Sequence, residues 1–131
     1  MLAFVSAAIE ACPCRHGEPF AECCGAVIGG RRKAVTAVQL MRSRYTAFAI
    51  GDEDYLLRSW HPRTRADHLE LDPDQQWYLL EVLRTERGGL LENDGIVEFR
   101  AHYRHFGERH SLHETSRFVR ENGSWLYVSA R

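Results

Sequence analysis

Hydrophobic and polar positions change their spacing at about residue 73. Before it, apolar residues recur at helical intervals: Val38, Met41, Tyr45, Phe48 and Ala49 fall on one helical face. Thr36 and Gln39 stand at capping-box spacing in front of that face. Gly51 is a natural helix stop. Asp52 then caps a second, shorter helix with Leu56, Leu57 and Trp60 turned inward, and Pro62 ends it. After Asp72-Pro73 the period becomes two. Trp77 through Thr85 reads as a strand, broken at Gly88-Gly89. Ile96 to Phe106 and Glu108 to Arg120 form two longer strands about Phe106-Gly107. Asn122-Gly123 is a two-residue hairpin signal, and Trp125 to Ala130 is the last strand. Helices followed by an antiparallel meander predict an α+β class.

The strand pairing carries further. With Phe106-Gly107 as a two-residue turn, His105 faces Glu108, Tyr103 faces His110, Ala101 faces Leu112, Phe99 faces Glu114 and Val97 faces Ser116. Val97, Phe99, Ala101, Tyr103, Leu112 and Phe118 then share an apolar face, together with His110, Glu114 and Ser116. Glu98, Arg100, His102, Arg104, Arg109, His113 and Arg117 make the opposite, solvated face. A slip of one residue would exchange the two faces.

A carboxylate on an apolar face needs a partner or a raised pKa. Two readings of Glu114 stay open. In one, Arg42 or Arg44 on the first helix forms a buried salt bridge with it. In the other, Glu114 lies at the base of a pocket as an acid or base, paired with His110 or His61, with Tyr45, Trp60, His61, Tyr103 and Ser116 as lining. Trp60-His61-Pro62 also reads as a helix-ending anchor in which His61 caps carbonyls. Trp77 and Trp125 read as packing residues.

Length and composition narrow the class. The chain has 131 residues, 44% hydrophobic and 27% charged, as in an ordinary globular protein. A formal net charge of −1 argues against nucleic acid as a partner. No apolar run approaches the ~20 residues that span a bilayer. Met1-Leu2-Ala3-Phe4-Val5 lacks the basic start of a secretory signal, so the expected compartment is the cytoplasm. The flexible, basic Gly29-Gly30-Arg31-Arg32-Lys33 stretch places a boundary between a segment 1–33 and a domain 34–131. Three adjacent cations there read as a solvated linker.

All 4 cysteines lie in one short stretch, as Cys12-Pro13-Cys14 and Cys23-Cys24. Two close pairs of soft ligands suit one tetrahedral zinc ion, with the loop between them closing over it. Gly17 allows a tight turn, Pro19 stiffens the path, and Phe20 covers one side. Zinc with four thiolates carries two net negative charges, which Arg15, Arg31, Arg32 and Lys33 offset in part. Disulfides are disfavoured in a reducing compartment. The spacing fits no ferredoxin pattern. A vicinal redox pair at Cys23-Cys24 remains as an alternative, and His16 as a competing ligand. A closed four-thiolate site is structural, with no open position for hydrolysis.

Cys12-Pro13-Cys14 through Phe20 to Cys23-Cys24-Gly25 resembles the SEC-C zinc motif, also found in the SecA translocation ATPase. Leu40-Met41-Arg42-Ser43-Arg44-Tyr45-Thr46-Ala47-Phe48, Asp54-Tyr55-Leu56-Leu57, Trp60-His61-Pro62, Ser116-Arg117-Phe118 and Gly123-Ser124-Trp125-Leu126-Tyr127-Val128 extend the likeness to the YchJ-like family of bacterial proteins. The resemblance implies an SEC-C segment followed by a nuclear transport factor 2-like cone, a curved sheet wrapped round a helix. It supplies architecture more than an activity. Some relatives carry a second SEC-C motif at the C-terminus, whereas this chain stops at Arg131; SEC-C loops often have Ser-Gly where His16-Gly17 stands.

Three functions follow as expectations. The first is a binding or adaptor module, in which a structural four-cysteine zinc unit meets a protein or ribonucleoprotein partner. The motif's association with protein contacts in SecA and the lack of a phosphate loop or nucleophile elbow favour it. The second is a small-molecule-binding or acid–base enzyme of the cone type, centred on Glu114. The third is a thiol redox or zinc-release sensor. Pairing of sheet faces into a homodimer is a further expectation.

Overall fold

Two turns with paired left-handed residues shape the sheet. In Phe106-Gly107 the φ values are 50° and 83°, and in Asn122-Gly123 they are 53° and 80°. Two successive positive φ angles define the type I′ turn, whose twist matches that of the strands it joins. They link β2 (Asp94–His105) to β3 (Glu108–Glu121) and β3 to β4 (Ser124–Ala130). With β1 (Gln75–Arg87) these make one antiparallel sheet in the order β1-β2-β3-β4. The computed structural model describes residues 10–131; Met1–Val5, read above for a targeting signal, lies outside the described residues.

The β2–β3 register is the predicted one, from His105 opposite Glu108 to Phe99 opposite Glu114 and Val97 opposite Ser116. β1 departs from strict alternation. Register shifts fall between Trp77 and Leu79 and between Val82 and Arg84. Trp77, Leu80, Val82 and Thr85 therefore pair with the inward residues Tyr103, Ala101, Phe99 and Val97. Such bulges bend a strand and increase its twist, which curves this sheet around the helix it covers.

The helices are α1 (Cys24–Ile28), α2 (Ala37–Ile50) and α3 (Glu53–Arg58), preceded by a 3-10 turn at Phe20–Glu22. The Thr36 side chain accepts from the Gln39 amide at 3.1 Å. The Gln39 side chain reaches back to the Val35 amide at 2.9 Å, one residue earlier than a standard capping box. Gly51 closes α2 with φ 78°, and Asp52 caps α3 through the Tyr55 amide. The α2 amide of Ala37 donates to the Gly88 carbonyl at 2.9 Å, so the helix start is tied to the β1–β2 connection.

The expectation of a single apolar face on α2 is corrected. Besides Leu40, Met41 and Tyr45, it buries Ser43, Arg44, Thr46 and Ala47. The helix is covered on two sides. Ala37, Leu40, Met41 and Tyr45 join Leu80, Val97, Phe99, Phe118 and Trp125 in a core against the sheet. On its other side Ala47, with Tyr55 and Leu56 of α3, shares a second cluster with Ile28 and all four cysteines. Apolar packing thus crosses the boundary expected at residue 33. Among the described residues no helix is long and apolar enough to cross a membrane.

A close backbone approach lies where α2, β1 and β2 meet. A Cβ on Gly95 would stand 2.6 Å from Gly88 Cα and 3.2 Å from Ala37 Cβ. Gly95→Ala should therefore destabilise the protein by about 2 kcal/mol, the usual cost of overpacking. Urea denaturation checks this; an unchanged midpoint would refute the packing constraint.

Candidate functional site

The N-terminal knuckle builds a thiol cluster from backbone turns. Arg15 and Gly17 take φ 58° and 110°, and the Cys12 amide donates to the Glu18 carbonyl at 3.2 Å, which folds the loop back. The 3-10 turn and α1 then deliver Cys23 and Cys24. Phe20 packs against the cluster, and a Cβ on Gly25 would meet the Phe20 ring at 2.9 Å, so glycine is needed there. The four sulfurs all lie within 4.8 Å of one another. Cys14 Sγ and Cys23 Sγ are 3.6 Å apart, far beyond a disulfide bond. A tetrahedral zinc–thiolate site with bonds of ~2.3 Å implies sulfurs ~3.8 Å apart, so the donor set fits one such ion.

Charge points the same way. The neighbouring Cys14 and Cys24 thiols hold the Cys12 thiol well below the usual range. Burial, then the neighbouring Cys14, pushes Cys23 up to about 12, and the contact with Cys12 raises Cys24. Adjacent thiolates repel one another, and a bound dication removes that conflict. Arg32 and Arg42 line a groove beside Cys23 and Cys24, and Arg15 lies beside Cys12, its amide donating to the Cys12 carbonyl at 2.9 Å. Arg42 Nη1 also reaches the Cys14 carbonyl at 3.5 Å. Arg31 donates instead to the Ala21 carbonyl at 2.9 Å. His16 lines the same groove but is not among the clustered ligands. Sequence reasoning missed Thr46, whose hydroxyl lies 3.7 Å from Cys12 Sγ. A polar residue three positions after Ser43 on a helix was its only signal.

On the other side of α2 the sheet and helix enclose a cavity of about 220 Å³. Tyr45, Trp60, Glu114 and Ser116 line it as expected residues; Met41, Arg44, Phe48, Leu69, Trp77, Phe99, Leu112 and Tyr127 also contribute. Leu69 comes from an irregular segment, and no pattern in the sequence marks it.

Four expectations about this region are corrected. The Glu114 salt bridge to Arg42 or Arg44 is not formed. Arg42 points to the knuckle, and Arg44 Nη1 donates to Leu56 O and Ser59 Oγ, both at 2.7 Å. Neither expected histidine joins Glu114 in the cavity. His61 is held on the edge of β4, its amide donating to the Tyr127 carbonyl at 2.7 Å, and its Nε2 meets Glu121 at 3.0 Å. It caps no carbonyl with that ring; Nδ1 accepts from the Arg63 amide. His110 is on the predicted face but near the hairpin end, stacked on Tyr103 at 5.3 Å. Tyr103 in turn packs on Trp77 at 4.8 Å and is absent from the cavity lining.

Arg44 is 4% exposed, its guanidinium 4.5 Å from the Tyr127 ring centroid and 5.9 Å from that of Trp60. Burial lowers its pKa to about 10, so it stays charged at neutral pH. Burial also raises the Glu114 carboxyl above its ordinary value. The folded state then holds the Glu114 proton more tightly than the unfolded chain. This group's contribution falls as pH rises from the unfolded pKa through the folded one, and the loss persists at neutral pH. Glu114→Gln should raise the thermal midpoint at pH 7, and the gain should vanish below about pH 4, where the unfolded carboxyl is also protonated. A gain that grew on acidification would contradict the sign.

The chain is similar to known proteins in sequence and fold. A family model described as the YchJ middle NTF2-like domain matches residues 36–130. The UPF0225 protein of Streptomyces coelicolor is 52% identical over 117 residues, covering 89% of this chain and 91% of that protein. The UPF0225 protein of Chromobacterium violaceum is 51% identical, covering 91% and 90%. The solution structure of a SEC-C motif containing protein from Rhodopseudomonas palustris superposes with TM-score 0.79 at 32% identity, covering 92% of this chain and 96% of that one. The crystal structure of a SEC-C motif containing protein from Psychrobacter arcticus gives 0.77 at 26%, covering 98% and 84%. With its cluster of four cysteines seated on an NTF2-like domain, the chain belongs to the YchJ-like UPF0225 family of bacterial proteins.

Proposed function

We propose that the protein is a binding module in which one structural zinc ion, held by Cys12, Cys14, Cys23 and Cys24, fastens a rigid knuckle to the cone, and that the knuckle's outer surface meets a protein partner. The observation that carries this reading is the placement of the four sulfurs. They sit 1–5% exposed within the cluster that also buries Ala47, Tyr55 and Leu56. A metal so placed joins two pieces of structure and offers no coordination site to a substrate. The same burial weighs against a thiol sensor, because oxidation follows exposure and thiolate character. The separation of Glu114 from His61 and His110 favours binding over acid–base catalysis.

The partner surface is the solvent side of the loop, where exposed His16 and half-buried Glu18 line one groove with the exposed Arg32. A pairing of two copies through the outer sheet face is less suited. It would desolvate Glu81, Arg84, Glu98 and Arg100, whose charges are already matched within the protein.

Elemental analysis of protein purified without chelator should give one zinc per chain, and iron or no metal would sink the zinc assignment. Cys14→Ser should lose the ion. By hydrogen exchange the variant should lose protection over residues 10–28 while the β2–β3 ladder keeps it. Loss of protection throughout the sheet would show that the knuckle is needed for the whole fold. A photo-crosslinker placed at Glu18 should capture one protein from wild type and not from Cys14→Ser.

A further inference from the structure

Among the described residues, one charged group on the cavity lining has no partner. Glu114 projects from β3 onto the apolar face, opposite Phe99. Among the described residues it makes no hydrogen bond and no ion pair, and burial alone perturbs it. Arg44, the other charged residue on the lining, is committed elsewhere. Its Nη1 is held by Leu56 O and Ser59 Oγ, and its plane lies by the rings of Tyr127 and Trp60. Those contacts make Arg44 part of the wall.

What remains around Glu114 is mostly aromatic and aliphatic, with the Ser116 hydroxyl, the Tyr45 hydroxyl and the Trp60 indole N–H as the polar groups on the lining. Phe48, Trp77 and Phe99 line the cavity, with Leu112, 39% exposed, among the lining side chains that reach solvent. Ring faces attract a cation and disfavour an anion, and the attraction strengthens where water is excluded. A carboxylate beside them has the same preference. The volume of about 220 Å³ is below the ~300–1,000 Å³ of drug-sized pockets, so it suits a molecule of one ring or a short branched chain.

We propose that this cavity binds a small hydrophobic amine, its ammonium group on the Glu114 carboxylate and its apolar body among Phe48, Trp77 and Phe99. The ligand would supply the donor that the fold does not give Glu114. Its chemistry explains why an apolar wall carries a carboxyl group at that position. The assignment is independent of the zinc knuckle and of any partner bound there.

The test compares three probes of matched shape on the full chain: benzylamine, benzyl alcohol and phenylacetate, titrated at pH 7 into isotope-labelled protein. Benzylamine should shift the signals of Trp77, Phe99 and Leu112 and bind at least tenfold more tightly than either of the others. Glu114→Gln, which keeps the side chain's shape, should lose at least tenfold in benzylamine affinity with its amide spectrum otherwise preserved. Leu112→Trp should narrow access and block the amine, so the test does not rest on one variant. Equal binding of the alcohol would reduce the cavity to a nonselective apolar one. Tighter binding of phenylacetate would make Arg44 the anchor. An unchanged Glu114→Gln, or no cavity shifts with any probe, would also overturn the proposal.

Discussion

α2 is held between two apolar surfaces, and the position of both candidate sites follows from that double burial. Met41 and Tyr45 face the sheet and line the cavity. Thr46 and Ala47 face the knuckle, where Thr46 touches Cys12 and Ala47 packs with the cysteine cluster. Each large apolar side chain buried this way contributes about 1.5–3 kcal/mol, so the sheet side alone supplies most of the helix's attachment. A helix of 14 residues has no free face left for solvent along its middle. Its polar groups there have only internal partners to turn to, and the Tyr45 hydroxyl finds none among the described residues. Ser43 is satisfied through the Leu40 carbonyl and the Tyr55 hydroxyl, at 2.7 and 2.6 Å.

The same constraint decides the electrostatics of the cavity. Arg44 leaves α2 towards the end of α3, where the last carbonyls of a helix lack intrahelical partners and attract cations. Leu56 O and Ser59 Oγ take its Nη1, and Tyr127 lies under the guanidinium. Once so held, Arg44 does not reach Glu114. A buried ion pair between helix and sheet was the simpler expectation, and it fails because α3 offers a nearer set of acceptors. Both charges act on Tyr127, whose pKa is raised chiefly by burial and then by Glu114, with Arg44 acting the other way.

Much of this was legible beforehand, and unevenly. The β2–β3 register followed from Phe106-Gly107 because a two-residue turn leaves no freedom of pairing. The thiol cluster followed from the spacing of four cysteines. Caps at Thr36 and Asp52 and the stop at Gly51 were local and correct. The bulges in β1 were not legible: nothing in Trp77 to Arg84 marks where a strand must bend, since bending is set by the helix it wraps. The second buried side of α2 was hidden too. Thr46 and Ala47 are small, and small residues give no periodic hydrophobic signal although a knuckle can press closely against them. His61 and His110 were misassigned for different reasons: backbone pairing with Tyr127, outside the hairpin, holds His61 at the edge of β4, whereas His110 is on the predicted face but too near the hairpin end.

The two faces of the sheet treat their charges in opposite ways. On the outer face Glu81 accepts from His102 at 2.5 Å, and His102 meets Ser111 at 2.8 Å. Glu98 is shared by His113 at 2.7 Å and Arg84 at 3.2 Å, which holds its carboxyl below the ordinary range. These cross-strand pairs satisfy one another in solvent and contribute modestly to stability. On the inner face Glu114 has no such neighbour among the described residues, and burial raises its pKa, which costs stability at neutral pH. A glutamine would fill the same space without that cost. Departures of this kind, where one group disagrees with surroundings that are otherwise consistent, concentrate at positions kept for function. The outer face is closed chemically, whereas the inner face carries an unmet requirement, and this directs the search for a ligand to the cavity beneath α2.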